Sequence, residues 1–132
     1  MSPLVALCDA RDSYHRRAVR DLEQLGGSTF ATCEAVLVES CFHLPNKSQR
    51  LRLRALLDYL AVAPLSSSAD TAFRDEVFDW LSRYAEHEPD WADGCFAVLA
   101  GRDVTARVWT YDTEFLMTWR RPDGTAIPQA VG

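Results

Sequence analysis

The strongest constraint on the fold is an alternation of helical stretches with short apolar segments along all 132 residues. Short apolar strands separated by helices favour parallel pairing, because a parallel pair needs a long crossover connection. The sequence therefore predicts an α/β fold, with a short parallel sheet flanked by helices. In such sheets ligands bind beyond the carboxyl ends of the strands, so we expect a functional site there.

The limits of the predicted elements come from caps, breakers and apolar spacing. A first apolar segment covers residues 3–8 and begins with Pro3, which suits a first helical turn. The predicted strands are Thr29–Ala31, Ala61–Leu65 and Arg107–Thr110, with an edge strand near Ile127. The predicted helices run from Asp12 or Ser13 to Leu25, Glu34 to Leu44, Ser48 to Leu60, Ser67 to Ala85, and Asp90 to Ala100.

Composition limits the size and class of the protein. A chain of 132 residues with 48% apolar side chains is expected to form a single domain, residues 1–132. The net charge of −5 argues against a protein that coats DNA non-specifically, although a local nucleic-acid site remains open. No apolar run is long enough to span a membrane and the start lacks the pattern of a signal peptide, so we expect a cytoplasmic protein.

Cysteine and histidine carry no metal-binding or nucleophile motif. The four cysteines lie in apolar runs without a C-x-x-C pair, which favours reduced, buried thiols. The three histidines form no cluster, and each is expected to be structural or exposed. The pair Arg120–Arg121 is expected to be an exposed tail, with RNA phosphate contact as the alternative. Trp91 is expected to pack, with base stacking as the alternative.

Three carboxylates stand where folding alone would not place them. Glu39 lies inside an apolar helix, Asp93 lies in a second one, and Asp112 directly follows a predicted strand. Each alone can be explained as a helix cap or as a surface group, and Asp90 before Trp91 fits a cap well. Together they favour a hard-cation site, because carboxylate oxygens suit Mg²⁺ or Mn²⁺ and such ions serve phosphate chemistry.

Four segments in order resemble the motifs of one family. The segment Ser2–Asp9 is similar to D-T-S-P-L-V-A-L-L-D and Thr32–Glu39 is similar to T-x-x-V-L-x-E. Tyr84–Asp93 resembles Y-A-D-x-P-M-D-x-A-D, and Thr110–Phe115 resembles T-x-D-x-x-F. The chain thus resembles the PIN domain over nearly its whole length, specifically the VapC-like ribonuclease toxins.

This resemblance implies a PIN-like three-layer sandwich and metal-dependent hydrolysis of single-stranded RNA. It implies four acidic residues around Mg²⁺ or Mn²⁺, of which Glu39, Asp93 and Asp112 match three, with Asp90 in an assisting role. It also implies a homodimer and a small antitoxin protein as partner. The expected function is therefore a VapC-type endoribonuclease.

The chain departs from the family at its start. The family's first Asp ends the first, central strand, and here that Asp would fall one residue before Met1, so the strand is missing with it. Either the start lies further upstream or this is a truncated copy. Smaller departures are Gly94, often Ala in the family, and Thr113–Glu114 in place of basic residues.

Two alternatives follow from the departure and from the carboxylates. One is a catalytically inactive PIN-like module that still dimerises and binds an antitoxin. A weaker one is another carboxylate phosphotransferase, such as a phosphatase of similar α/β build, although no D-x-D motif supports it.

Overall fold

The computed structural model describes residues 2–65 and 71–131. This part of the chain is mixed α/β, with helices flanking a short parallel sheet. The helices are α1 (Pro3–Cys8), α2 (His15–Gln24), α3 (Glu34–His43), α4 (Lys47–Tyr59), α5 (Thr71–Arg83), α6 (Trp91–Ala100) and α7 (Thr113–Met117), with a 3-10 turn at Ala85–His87. The strands are β1 (Ala31–Cys33) and β2 (Ala63–Leu65).

Side-chain caps explain where several helices begin. The Ser2 side chain accepts from the backbone N–H of Leu4 at 3.1 Å, and Pro3 occupies the first position of α1. Asn46 caps α4 in a reciprocal pair with Gln49, so this helix starts one residue before the predicted Ser48. The predicted cap at Ser67 lies outside the described residues.

The sheet confirms parallel pairing but corrects both predicted strands. Ala31 pairs with Ala63 and Cys33 with Leu65, so β1 begins two residues later than predicted. The predicted burial of the second strand is wrong, because Ala63 and Pro64 are exposed. Pro64 has no backbone N–H to donate, and proline in a sheet is tolerated mainly on an edge strand.

The strand predicted at Arg107–Thr110 is wrong, and so is the edge strand near Ile127. Val108 forms a single parallel bridge with Gln129, in which its N–H donates to Pro128 O at 2.8 Å and its carbonyl accepts from Ala130 N at 2.8 Å. One bridge does not extend into a ladder. Ile127 contributes a buried side chain between such bridges.

The main core forms where α6 packs against α5. Five residues of α6 from Cys95 to Ala100 are buried there with Val77 and Trp80 of α5. Gly94 allows this contact, since a Cβ at that position would lie 2.9 Å from Val77 Cγ1. A second cluster joins α1 to α4 through Val5, Cys8, Leu44 and Leu53.

The cysteines agree with the expectation of free thiols. Cys8, Cys33 and Cys95 are buried, Cys41 is half-buried, and none is bonded to another. Burial raises the pKa of the Cys95 thiol to about 11, with the Cys33 thiol as a second cause. Within the described ranges, no helix is long and apolar enough to cross a membrane.

The expectation that Arg121 belongs to an exposed tail is wrong. Its side chain is buried, and Nε donates to Ala100 O at 3.1 Å. The two Nη groups donate to three further carbonyls and one hydroxyl, those of Val104, Ala106, Ala126 and Thr125. Arg121 therefore ties the segment after α6 to the carboxyl-terminal segment from inside the protein.

Candidate acidic site

The structure places the four predicted acidic residues on three neighbouring helices. Glu39 lies in the middle of α3, Asp90 caps α6, Asp93 lies in its first turn, and Asp112 caps α7. The negative charges of Asp90 and Asp112 raise the pKa values of both Glu39 and Asp93. Four groups separated in sequence therefore form one electrostatic unit, here called the acidic cluster.

Asp93 has the most perturbed ionisation of the cluster. Burial is the largest cause and raises the pKa of this carboxyl from 3.8 to about 7. The hydrogen bond from the Asp90 backbone N–H acts in the opposite direction, and the charges of Asp90 and Asp112 add to the rise. Asp93 consequently changes charge close to neutral pH, as acid–base groups of active sites do.

Glu39 faces the cluster from α3. Partial loss of hydration raises the pKa of its carboxyl, the charges of Asp90 and Asp112 add to the rise, and His43 opposes it. His43 follows Glu39 by four residues, which places both side chains on one face of the helix. The sequence analysis missed His43 as a neighbour of the site, although this spacing could have shown it.

Three of the four carboxylates also cap helices. Asp90 Oδ1 accepts from the Asp93 backbone N–H at 2.8 Å, and Asp93 Oδ2 accepts from the Asp90 backbone N–H at 3.0 Å. Asp112 Oδ1 accepts from the Glu114 backbone N–H at 2.9 Å. One oxygen of each of these carboxylates therefore has a structural role as a helix cap.

The cluster does not form a closed metal site as it stands. Its oxygen donors have the chemistry that Mg²⁺ and Mn²⁺ prefer. In the part of the chain that the structure describes, however, no three His, Cys, Asp or Glu side chains come together closely enough to hold an ion. Side-chain movement would be needed before Glu39, Asp93 and Asp112 could enclose a cation.

The groups for which RNA contact was the alternative interpretation mostly contact other parts of the protein. Arg121 is buried, and Arg120 donates to Trp119 O at 3.2 Å. Trp91 is 40% exposed and sets its ring edge-on to Phe78, with centroids 5.1 Å apart. This contact agrees with the packing interpretation of Trp91.

Arginines of α4 have a structural role that the sequence analysis did not assign. Arg50 donates to the carbonyls of Leu44 and Cys41, at the end of α3, and Arg52 donates to Cys8 O at the end of α1. Cations at carboxyl ends of helices satisfy the last carbonyls and the helix dipole. Two arginines of α4 thus cap the carboxyl ends of α3 and α1.

Comparison of the chain with protein-family models, with curated proteins and with solved structures found no match.

Proposed function

We propose that the chain is a PIN-like endoribonuclease of the VapC type, with the acidic cluster as its site. The observation that carries the proposal is the electrostatic coupling of four carboxylates. Burial first, and then the charges of Asp90 and Asp112, raise the pKa values of Glu39 and Asp93. Clustered carboxylates repel one another at neutral pH. Such a site is stabilised by a cation or by a proton, and both serve phosphodiester hydrolysis.

The proposed roles follow from burial and charge. Asp93 is the group able to exchange a proton near pH 7. Glu39 and Asp112 supply further negative charge, and Asp90 fixes the position of Asp93 through the reciprocal cap. Mg²⁺ or Mn²⁺, held by Glu39, Asp93 and Asp112 after their side chains move together, is the cofactor in this proposal.

Cleavage of a labelled single-stranded RNA in Mn²⁺ tests the proposal. The decisive variant is Asp93→Asn, because asparagine keeps an acceptor oxygen for the cap and removes the charge. Asp123→Asn is the matched control, since Asp123 also accepts a backbone N–H, that of Thr125, but lies in an exposed turn away from the cluster. We expect cleavage by the original chain and by Asp123→Asn, and none by Asp93→Asn or in EDTA.

Cleavage that persists in Asp93→Asn would contradict the assignment of the site. Cleavage that survives EDTA would contradict the cation. The absence of cleavage by every form, each shown to be folded, would favour the second candidate function.

The second candidate is an inactive PIN-like module that dimerises and binds an antitoxin. Two observations favour it: three cluster carboxylates are used as helix caps, and no three possible ligands are in place for a metal among the described residues. In this case the acidic cluster would act as a charged docking surface for a partner protein.

Dimerisation is part of both candidates, and α3 offers a surface for it. Val38 and Phe42 lie four residues apart on one face of this helix and are 66% and 78% exposed. We propose that this face contacts a second copy of the chain. Sedimentation should show a dimer that Phe42→Ser dissociates and that Tyr59→Ser, which removes an equally exposed aromatic of α4, leaves intact.

A further inference from the structure

One stretch of the chain has a charge opposite in sign to that of the whole protein. Residues 11–20 hold four arginines, Arg11, Arg16, Arg17 and Arg20, and a single acidic residue, in a protein with a net charge of −5. Three of these arginines lie on α2, and all four side chains are exposed. A basic segment on the surface of an acidic protein is the electrostatic footprint of a site for a polyanion.

Helical spacing orders the three arginines around α2. Ala18 lies on the buried side of this helix, where it packs in one cluster with Tyr111. Arg17 stands at the rim of that contact, since its guanidinium carbon lies 4.8 Å from the centre of the Tyr111 ring. Arg20 follows three residues after Arg17 and four after Arg16, so the three cations share one side of the helix. This side is here called the arginine strip.

The arginine strip keeps donors available for an external anion. Arg17 has one ion pair, with Nε 3.7 Å from Asp21 Oδ2, and its side chain remains 52% exposed. Within residues 2–65 and 71–131, the side chains of Arg16 and Arg20 have neither an ion pair nor a hydrogen bond. Arg121, in contrast, is buried and directs its donors to carbonyls of the protein itself. A guanidinium has five N–H donors, so most of those in the strip face water.

The arginine strip reaches the acidic cluster through two adjacent residues. Tyr111 OH donates to Asp21 Oδ2 at 2.8 Å, which fixes the segment before α7 against α2. Asp112, the next residue, caps α7 and belongs to the acidic cluster. Since neighbouring Cα atoms are about 3.8 Å apart, the strip begins beside a residue that is adjacent to a cluster carboxylate.

We propose that the arginine strip binds the phosphate backbone of the single-stranded RNA on which the acidic cluster acts. This inference rests on the proposed function, because it names the surface that holds the substrate of that site. Carboxylates repel a phosphodiester, and guanidinium groups beside them offset the repulsion. Arginine contacts phosphate oxygens through paired donors and does not read the base there, so the strip sets the position of the strand rather than its sequence.

An acidic protein segment would satisfy the same guanidinium groups. RNA is favoured because one strand then supplies both the phosphates that the arginine strip holds and the phosphodiester that the acidic cluster cleaves. An acidic peptide would use the strip alone. The two ligands are separated below by direct competition.

Binding of a labelled single-stranded RNA in EDTA, measured at several salt concentrations, tests the inference without any cleavage step. Arg17→Gln and Arg20→Gln each remove one charge and keep a good helix former. Each should weaken binding about fivefold near 0.1 M salt. Each should also reduce the slope of log affinity against log salt by about 0.7, which is the counterion release of one phosphate contact on a single strand.

Two further variants separate the position of the charge from its amount. Arg74→Gln is the matched control, because Arg74 of α5 is also exposed and also has one ion pair at 3.7 Å, with Asp75. It makes the same change in net charge and should alter neither the affinity nor the slope. Arg17→Lys keeps the charge and should keep the slope.

Steady-state cleavage in Mn²⁺ separates binding from chemistry. A phosphate contact away from the reacting bond is made equally in the ground state and the transition state, so its loss acts on KM. Arg20→Gln should therefore raise KM about fivefold and leave kcat near that of the original chain. A fall in kcat at unchanged KM would contradict a role in holding the strand.

The remaining outcomes are distinct. Equal losses of RNA affinity in Arg17→Gln and Arg74→Gln would overturn the inference, because overall charge would then explain the binding. A polyglutamate peptide that competes as strongly as RNA and depends equally on Arg17 and Arg20 would overturn it in favour of an acidic protein partner. Weaker RNA binding by the Arg17 and Arg20 variants, together with no cleavage by any form, would support the arginine strip and contradict the proposed catalytic function alone.

Discussion

Asp90 and Asp93 each hold the backbone N–H of the other, at 2.8 and 3.0 Å, across the first turn of α6. The same two carboxylates start a helix and belong to the acidic cluster. Replacement by alanine would remove a cap and a charge together, so a loss of activity would have two explanations. Replacement by asparagine separates them, and the predictions below use it for that reason.

The raised pKa of Asp93 makes stability fall as pH rises. The folded chain retains the Asp93 proton up to about pH 7, whereas the unfolded chain releases it near pH 4. Between these values the folded state binds more protons, so the free energy of unfolding decreases with increasing pH. Asp93→Asn should be more stable than the original chain by about 1–2 kcal/mol at pH 8, once partial solvent screening is allowed for, and by little at pH 4.

Urea unfolding of both forms at pH 4, 6 and 8 measures this effect. The control is Asp123→Asn, because the hydrogen bonds from Thr125 lower the pKa of the Asp123 carboxyl. The contribution of Asp123 to the free energy of unfolding therefore increases with pH, whereas that of Asp93 decreases. A constant difference between Asp93→Asn and the original chain at all three pH values would contradict the assignment to Asp93.

Cation binding should compete with the Asp93 proton. If Mn²⁺ binds the cluster, it must displace that proton below pH 7, so affinity should increase about tenfold from pH 6 to pH 8. Calorimetric titration at the two pH values checks this. Glu39→Gln should weaken binding at both, and a pH-independent affinity would place the ion elsewhere.

Arg121 should contribute strongly to stability although it lies far along the chain. Arg121→Met removes the guanidinium donors from the carbonyls of Ala100 and Ala126, and we expect a loss of about 3 kcal/mol. Arg121→Lys should recover little, since an ammonium group cannot reproduce the planar fork of donors. Arg120→Met is the control, because the Arg120 side chain donates, among residues 2–65 and 71–131, to the carbonyl of its neighbour Trp119. An equal loss in this control would contradict the interpretation.

Gly94 should resist replacement by alanine. The added Cβ would lie 2.9 Å from Val77 Cγ1 and 3.3 Å from Leu81 Cδ2. We expect Gly94→Ala to destabilise the chain by about 1–3 kcal/mol, even though alanine is the better helix former. Val77→Ala should reduce this cost in the double variant. A double-mutant cycle without coupling would contradict the prediction, because it would show that α5 moves to accommodate the added methyl group at no cost.

Sequence reasoning predicted elements well where the signal was local. Pro3 and Asp90 stand at or beside predicted helix starts, and the structure begins helices there. The parallel sense of the sheet followed from the helices between the strands. Strand limits were less certain, because the three residues of β1 and of β2 are too short for a period of two to show.

The acidic residues were found from a chemical conflict, since each stood next to or within an apolar segment. In the structure burial and the charges of Asp90 and Asp112 raise the pKa values of Glu39 and Asp93, and the metal site itself stays a prediction. The cap role of Asp90 was already one of the explanations that the sequence offered. The distance of the four side chains from a closed ligand set could not be predicted, because it depends on how α3, α6 and α7 meet. Arg121 was misjudged for a related reason: its acceptors are carbonyls, which every residue type carries.

The buried guanidinium of Arg121 has a consequence for the order of events during synthesis. Its acceptors include Thr125 and the carbonyl of Ala126, and Trp80 Nε1 donates to the Arg120 carbonyl at 2.8 Å. Arg120, Thr125 and Ala126 are synthesised after α5 and α6, the helices that they help to hold in place. The packing of the earlier helices therefore stays incomplete until residues 120–126 have been synthesised, and the domain cannot complete its folding before that point.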